Sequence, residues 1–463
     1  MYATEVSINM TLPLRAEASG AFDVVGVGFG PSNLALAVAL EEAPEAAQMS
    51  RLFLEGKTGP VWHPGMLLED SLIQISVLKD LATVRNPQSR FTFLNYLKEK
   101  GRLFEFLNLR DLFPGRIEFN DYLGWVAEGL SERVRWGCEV IAIHPEPGEE
   151  PGSIELLRVV SRDLLTGENH EVLTRNIVLA TGGIPAVPPP LRLVPGGRAF
   201  HTHEFLQRIR NDFPDKAAPY KFAVVGAGQS GAELFSYLLT HYPNAQVTAT
   251  LRRYAYKPVD DSHFTNEIFF PERVDWLYSL TDEKRARVLD MCRDVNYAVV
   301  DAPLIQQIYR QIYNERVEGK NRATILPFLE LREIEEREQT VWVKFQNTLE
   351  ERPHELEVDG LILATGYHWP SDHPLLAEVA MHLERDPVPV PGGGYEYRIR
   401  RDYRVESKPG FAPGVYLQGF SERRHGASET VLSLLPVRAG NILDSLVEAR
   451  QNALGQALEA VAV

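Results

Sequence analysis

Cysteine is nearly absent from this chain: Cys138 and Cys292 are the only two among 463 residues, and they form no close pair. A disulfide framework, a zinc ribbon and a C-x-x-C redox centre are excluded on that count, and no metal site is expected. Long apolar runs are missing too. No stretch approaches the roughly 18 uninterrupted apolar residues of a membrane helix, so no membrane partner is expected. Residues 1–22, which include Glu5, Arg15 and Glu17, lack the basic start and apolar core of a secretory signal. Positive charge is in deficit, with 48 Lys and Arg against 63 Asp and Glu and a net charge of −15. That balance argues against a nucleic-acid backbone or an anionic membrane surface as partner, and leaves room for a local basic pocket around one phosphate. Hydrophobic residues at 44% and charged residues at 24% are ordinary for a globular chain. The length allows roughly two to four domains. A cytoplasmic enzyme or binding protein is expected.

Two segments carry the first positive signal. Residues 22–33 (F-D-V-V-G-V-G-F-G-P-S-N) run from a short apolar strand through a glycine turn into a helix, with Pro31 near its first position. Residues 222–231 (F-A-V-V-G-A-G-Q-S-G) do the same with a full G-x-G-x-x-G, at Gly226, Gly228 and Gly231. This strand–turn–helix context is the dinucleotide fingerprint. Gly26 is expected to permit the tight turn and Gly28 to let the backbone approach a pyrophosphate, with Gly30 and Pro31 opening the helix. The helix N-terminus supplies N–H donors and positive dipole. One such turn also occurs for purely structural reasons; two copies in the same context weigh for nucleotides.

The end of each second strand separates the two ligands. The first closes on Glu55, a carboxylate suited to ribose hydroxyls. The second closes on Arg252-Arg253, guanidinium groups suited to a 2′-phosphate. FAD in the first site and NADPH in the second follow. Residues 176–183 and 359–367 are apolar strands ending in Ala-Thr-Gly, and residues 414–419 read as the strand that closes the first unit. The expected fold class is α/β, with two Rossmann-like domains and a small, mostly helical substrate-binding region. Residues 1–205 and 366–463 would build the FAD domain, and 206–365 the NADPH domain, with the helical insert at about 260–320. Pro-rich residues 185–195 and 387–394 fit linkers at the crossings.

Such a chain could reduce a disulfide, pass electrons to a partner or activate oxygen. The two cysteines do not suit the first and are expected to pack in the core. Electron transfer to a large partner leaves no legible signature. Oxygen activation needs few side chains, because reduced flavin and dioxygen form a C4a-hydroperoxide and the cofactor does the hard chemistry. The protein then excludes water and positions a nucleophile.

Residues 26–37 (G-V-G-F-G-P-S-N-L-A-L-A), 72–81 (L-I-Q-I-S-V-L-K-D-L), 296–300 (N-Y-A-V-V) and 359–367 (D-G-L-I-L-A-T-G-Y) resemble segments of one family. It comprises the microbial N-hydroxylating flavoprotein monooxygenases of hydroxamate siderophore biosynthesis. Residues 425–438 (H-G-A-S-E-T-V-L-S-L-L-P-V-R) are similar to the L-ornithine N5-monooxygenases in particular. The resemblance spans residues 22–443. A wider flavoprotein motif, F-x-G-x-x-x-H-[ST]-x-x-[YW], is met in part: Gly197, His201 and Thr202 are kept, and Pro195 and Phe205 stand at the aromatic positions.

The resemblance implies roles residue by residue. Gln74 would lie beside the flavin as a catalytic residue, and Lys79 would bind the substrate carboxylate. Asn266 and Asn296 would be amide partners of the substrate, Asn296 also serving catalysis and NADP. Ser433 would sit near the amine end, with Thr430, Val431 and Leu432 approaching the flavin. Lys57, Trp62, His63 and Val140 would join Glu55 around FAD. Gly226, Gly228, Gln229, Ser230, Arg252 and Arg116 would surround NADP. The implied reaction is N-hydroxylation of the L-ornithine side-chain amine with FAD, NADPH and molecular oxygen, giving N5-hydroxy-L-ornithine for siderophore or related natural-product synthesis. Only the neutral amine is nucleophilic, and its pKa is near 10, so hydroxylation is expected to rise toward the alkaline side of neutral. L-lysine, longer by one methylene, is the alternative substrate. A non-catalytic sensor of NADPH and FAD is the alternative of another class. A homo-oligomer, tetramer or dimer, is the family's usual state.

Overall fold

The computed structural model describes residues 20–388 and 394–461, with side chains described as far as residue 455. Most of the N-terminal stretch read for a signal, and residues 389–393 of an expected linker, lie outside the described residues.

Two parallel five-stranded sheets organise the chain. The first has the order Gly414–Leu417, Asn176–Leu179, Val24–Val27, Arg51–Glu55, Val134–Trp136. Strands such as V-V-G-V and N-I-V-L are buried throughout, as a parallel sheet covered on both faces requires. Alternation divides the side chains between two layers. Val24, Phe53, Val178 and Tyr416 face helix Pro31–Glu42 and the C-terminal helix Leu435–Val461. Val25, Val27, Leu52 and Leu54 face the antiparallel strands Cys138–Pro147, Ile154–Asp163 and Asn169–Thr174. Cys138 packs in this second layer, where burial raises its thiol pKa.

The second sheet has the order Ala199–His201, Gly360–Leu363, Lys221–Val225, Gln246–Thr250, Ala323–Leu326. It repeats the plan. Phe222, Val224, Val247 and Ala249 face helices Phe205–Asp212, Gln229–His241 and Ala302–Val317. Ala223, Val225, Leu361 and Leu363 face the antiparallel strands Leu329–Glu336, Val341–Asn347 and Pro353–Val358. In both units three antiparallel strands lead directly into a strand of the parallel sheet, and in the first the short strand Ala21–Phe22 joins them in parallel at one edge.

The crossings between units run side by side. Ile184–Pro185 pairs antiparallel with Tyr367–His368, and the Ala186 N–H donates to the Gly366 carbonyl at 2.9 Å. Strand Ala199–His201 pairs with Gly360–Leu363, so the second unit already includes residues placed before the expected boundary at 205. The strands on either side of the expected linker at 387–394, Arg385–Pro387 and Tyr395–Tyr397, pair antiparallel with each other inside the first unit. The helical insert at 260–320 divides in two. Residues 265–295 form a lobe around Ile268, Leu277 and Val295, with Cys292 packed against them. Helix Ala302–Val317 belongs to the second sheet, where Ile308 joins its core. The lobe docks on the C-terminal segment: buried Arg285 donates to the carbonyls of Leu277 at 2.8 Å and Arg423 at 3.4 Å. Among the described residues no helix is long and apolar enough to cross a membrane, and no His, Cys, Asp or Glu group of three or more could hold a metal ion.

Candidate active site

The first glycine turn divides its work differently from the expectation. Gly28, at φ +81°, makes the left-handed turn, and a Cβ there would stand 2.6 Å from the Ala180 carbonyl. Gly26 is needed for packing, since a Cβ would meet the Phe53 ring at 2.2 Å. Gly30 is open, since a Cβ there would meet no protein atom within 4 Å. Helix Pro31–Glu42 starts there with Gly30 as N-cap and no side-chain cap, leaving its first N–H groups without a side-chain acceptor. Glu55 Oε2 accepts from the Phe29 N–H at 2.6 Å and Oε1 from the Lys57 N–H at 3.0 Å, which holds the carboxylate beside the turn. An open glycine, an uncapped helix start and an adjacent carboxylate fit an adenine dinucleotide with a free ribose. Asn33, which sequence reasoning passed over, donates to the Gly28 carbonyl at 2.7 Å and accepts from Gln418 at 2.9 Å, tying the turn to the end of the last strand.

Around this turn, Lys57 donates to the Val61 carbonyl at 3.0 Å and closes the following loop. The Trp62 ring lies edge-on to His63 and Phe119. His63 adopts a left-handed backbone at φ 46°. Burial, then Arg116, Lys57 and His203, depress its imidazole pKa to about 4, so the ring is neutral at neutral pH. The Val140 side chain is committed to the apolar cluster behind the sheet, which leaves only its main chain for a ligand.

The second turn is built in the same way. Gly226 cannot carry a Cβ, which would stand 2.3 Å from the Ala364 carbonyl, and Gly228 is an uncapped N-cap for helix Gln229–His241. The Gln229 side chain is already used: Nε2 donates to Glu233 at 3.0 Å and Oε1 accepts from the Asp301 N–H at 2.9 Å. What Gln229 offers a ligand is its main chain. Ser230 has no hydrogen-bond partner among the described residues. Arg252 is exposed and unpaired there, whereas Arg253 donates to the Ala298 carbonyl at 3.3 Å and lies 3.7 Å from Asp294. Arg116 is engaged by both oxygens of Glu233, at 2.9 and 2.7 Å, and so bridges the two units.

Of the residues expected at a substrate, Lys79, Ser433 and Asn266 stand on turns that pack in series, and nothing among the described residues brings the Gln74 side chain to them. Lys79 and Gln74 are exposed and without partners among the described residues. The next residue, Asp80, is buried and accepts from the N–H groups of Ala82, Thr83 and Phe93 and from the Thr83 hydroxyl, at 2.6–2.9 Å. Turn Val77–Lys79 is thereby fixed from behind, with the Lys79 ammonium left free. It packs against turn Leu432–Leu434, which carries the buried Ser433. The preceding turn, Ala427–Thr430, packs against Thr265–Phe269, which carries Asn266. Asn266 donates one side-chain N–H locally to the Asp261 carbonyl at 3.1 Å, so its carbonyl oxygen and its second N–H are the groups it can present.

Asn296 joins this site to the second turn. Two residues on, Ala298 takes a left-handed backbone at φ 54°, unusual for a residue with a Cβ. Its Cα lies 3.5 Å from where a Cβ on Gly228 would be. Between them, the Tyr297 hydroxyl donates to Glu422 Oε1, with the Asn296 and Thr430 side chains also close enough to act on it. The loop Thr430–Leu432 is held against the first turn by a buried pair: Arg438 donates to the Glu429 carbonyl at 2.6 Å and to Ser32 Oγ at 2.9 Å, and lies 3.0 Å from the Glu429 carboxylate. Glu233, four residues after Gln229 on one helix face, had a legible spacing; Tyr297 and Glu422 had none.

Known proteins resemble this chain in sequence and in structure. The L-lysine 6-monooxygenase/L-ornithine 5-monooxygenase family matches residues 20–369. An L-ornithine N(5)-monooxygenase of Burkholderia cepacia is 41% identical over 413 residues, 88% of this chain and 90% of the relative. The ornithine hydroxylase PvdA of Pseudomonas aeruginosa is similar in structure, with a TM-score of 0.85, 38% identity, and coverage of 93% of this chain and 99% of that one. So is the Kutzneria sp. 744 ornithine N-hydroxylase KtzI in its FADred–NADP+–L-orn form, with a TM-score of 0.86, 37% identity, and coverage of 93% and 100%.

Proposed function

Because the chain belongs to the L-lysine 6-monooxygenase/L-ornithine 5-monooxygenase family, we propose that it is an FAD- and NADPH-dependent monooxygenase converting L-ornithine to N5-hydroxy-L-ornithine. One observation carries the reading. The free ammonium of Lys79, the buried Ser433, Thr430 and Asn266 lie on turns that pack in series, and Asn296 meets Thr430 at the Tyr297 hydroxyl, beside the second glycine turn.

FAD would be held by the Gly28–Gly30 backbone, the start of helix Pro31–Glu42 and Glu55. NADPH would be held by the Gly228 turn, Ser230 and Arg252. Bound together they supply the two electrons and the dioxygen chemistry that the side chains cannot. The chain's own residues do the rest. Lys79 pairs with the substrate carboxylate, a charge-assisted contact at one fixed end. Asn266 and Asn296 orient the polar groups, and Ser433 meets the side-chain amine at the other end. The Thr430–Leu432 loop, pinned by Arg438, keeps water from the reacting nitrogen.

Hydroxylated amine formed from L-ornithine and, separately, from L-lysine is the test, with FAD, NADPH and oxygen supplied and NADPH consumption followed in parallel. Product from ornithine supports the proposal. Product mainly from lysine keeps the reaction and corrects the length of the pocket, a difference of only about 1–3 kcal/mol. NADPH consumption with peroxide and no product from either would overturn it.

A further inference from the structure

An amine that must attack as a neutral nitrogen needs somewhere to leave its proton. Ornithine enters near neutral pH as an ammonium, and the groups already assigned to the site include no base: Gln74, Asn266 and Asn296 are amides, Ser433 is a hydroxyl and Lys79 is itself a cation.

Tyr297 and Glu422 supply what is missing. Glu422 opens the short helix Glu422–His425, and its Oε1 accepts from the Tyr297 hydroxyl. That hydroxyl also lies beside Asn296, next to the second glycine turn, and Thr430, on the loop over the first. Glu422 has no ion pair among the described residues. Arg293, on the same turn as Tyr297, lowers its pKa, opposed by Glu429 from its own segment, whose carboxylate is already taken by Arg438. On the two helices packed against Glu422–His425, Asp275 pairs with Arg401, Arg273 with Glu267, and Asp282 with Arg285 and Arg423, while Glu272, Glu283, Lys284, Arg287 and Asp290 stand in no ion pair among the described residues. Burial prevails and raises the Glu422 carboxyl above its ordinary pKa, as it raises the Tyr297 phenol.

We propose that Tyr297 and Glu422 form the proton outlet of the substrate amine. An N–H bond of the ammonium breaks toward the Tyr297 oxygen while the Tyr297 O–H proton passes to Glu422. The products are a neutral amine, an intact phenol and a protonated carboxyl, and no oxidant or reductant takes part. The part-exposed Glu422 then releases the proton to solvent. Burial favours the transfer from both ends, since it lowers the pKa of an ammonium and raises that of a carboxyl. The inference rests on the monooxygenase reading above.

The test uses the FAD-loaded enzyme with Glu422→Gln, which keeps an acceptor for Tyr297 but no base, and Tyr297→Phe, which cuts the relay and leaves Glu422. Calorimetry gives the affinity for L-ornithine and for L-norvaline, the same side chain without its amine. Rapid mixing gives the pH profile of hydroxylation. Glu422→Gln should weaken ornithine binding by about tenfold with norvaline unchanged, because the Tyr297 oxygen that faces the ammonium is then no longer hydrogen-bonded to a carboxylate. In both variants the alkaline rise should move up by about one pH unit or more, toward the amine's own pKa. Equal weakening of ornithine and norvaline, or an unmoved pH profile in either variant, would overturn the outlet. If Glu422→Gln does not fold, the Tyr297→Phe profile decides alone. Failure of the unmodified enzyme to bind or hydroxylate ornithine would overturn the functional reading, and the outlet with it.

Discussion

Arg116 and Glu233 meet across the junction of the two nucleotide units, the guanidinium donating to both carboxylate oxygens at 2.9 and 2.7 Å with only 12% and 5% of the two side chains exposed. Glu233 also accepts from Gln229, the first residue of the second unit's helix. One carboxylate thus fixes both an inter-unit contact and the glycine turn. Glu233→Gln should destabilise the protein by about 3 kcal/mol, because it leaves a buried cation without its partner. It should weaken NADPH binding and leave FAD content unchanged. Arg116→Ala with Glu233→Ala should cost less than the sum of the single changes. Urea unfolding and NADPH titration check these outcomes.

The two exposed-side glycines of the first turn should respond in opposite ways. A Cβ at Gly28 would strike the Ala180 carbonyl in a left-handed backbone, so Gly28→Ala should disturb the fold itself. Gly30 sits at φ −74° with open space around it, so Gly30→Ala should fold normally and lose FAD affinity. Melting temperature and flavin content, measured on both variants, separate the two effects.

Lys79 and Asp80 are neighbours with opposite duties. Lys79→Ala should change stability by no more than about 0.5 kcal/mol, since no partner is lost. It should raise the ornithine KM by about 10–100-fold, the worth of a charge-assisted contact, and leave the KM for NADPH alone. Asp80→Ala should instead destabilise the chain, because four donors lose one buried acceptor. Steady-state kinetics and thermal melts distinguish the pair.

Much of this architecture could be read from the residues because it rests on local rules. The glycine turns, Pro31 at a helix start and Glu55 at a strand end are each fixed by neighbours a few residues away. The strand at Gly414–Leu417 was legible from its own apolar run. The antiparallel layers were not, although Val341–Asn347 alternates in a way that could have signalled one. Nor could the roles of Gly26 and Gly28 be assigned, since Phe53 and Ala180 decide them from distant strands. Proline at 387 read as a linker, but a proline at the end of a paired strand has the same local appearance. Glu422 and Tyr297 stand more than a hundred residues apart, and nothing in either segment announces the other.

Buried histidines make the fold sensitive to acid, His63 among them. His201 and His425 are almost wholly buried, and burial lowers their pKa values to about 4 and about 3 from the ordinary 6.5. Below pH 6.5 the unfolded chain therefore binds protons that the folded chain refuses. Stability present above that pH is lost as the pH falls, at up to about 1.4 kcal/mol per pH unit for each ring. His201→Gln, which keeps a donor for the Gly366 carbonyl, should flatten the decline of melting temperature between pH 6.5 and 5. An unchanged slope would exclude His201 as a source.

The placement of strand Gly414–Leu417 also sets an order of assembly during translation. It is the last strand to be made among the described residues, and it forms one edge of the sheet that Val24–Val27 began. Every strand of the second sheet lies between residues 199 and 363. On a ribosome working from the N-terminus the inserted unit can therefore close its sheet while its host still waits for an edge strand and a covering helix. The unit begun first is completed last.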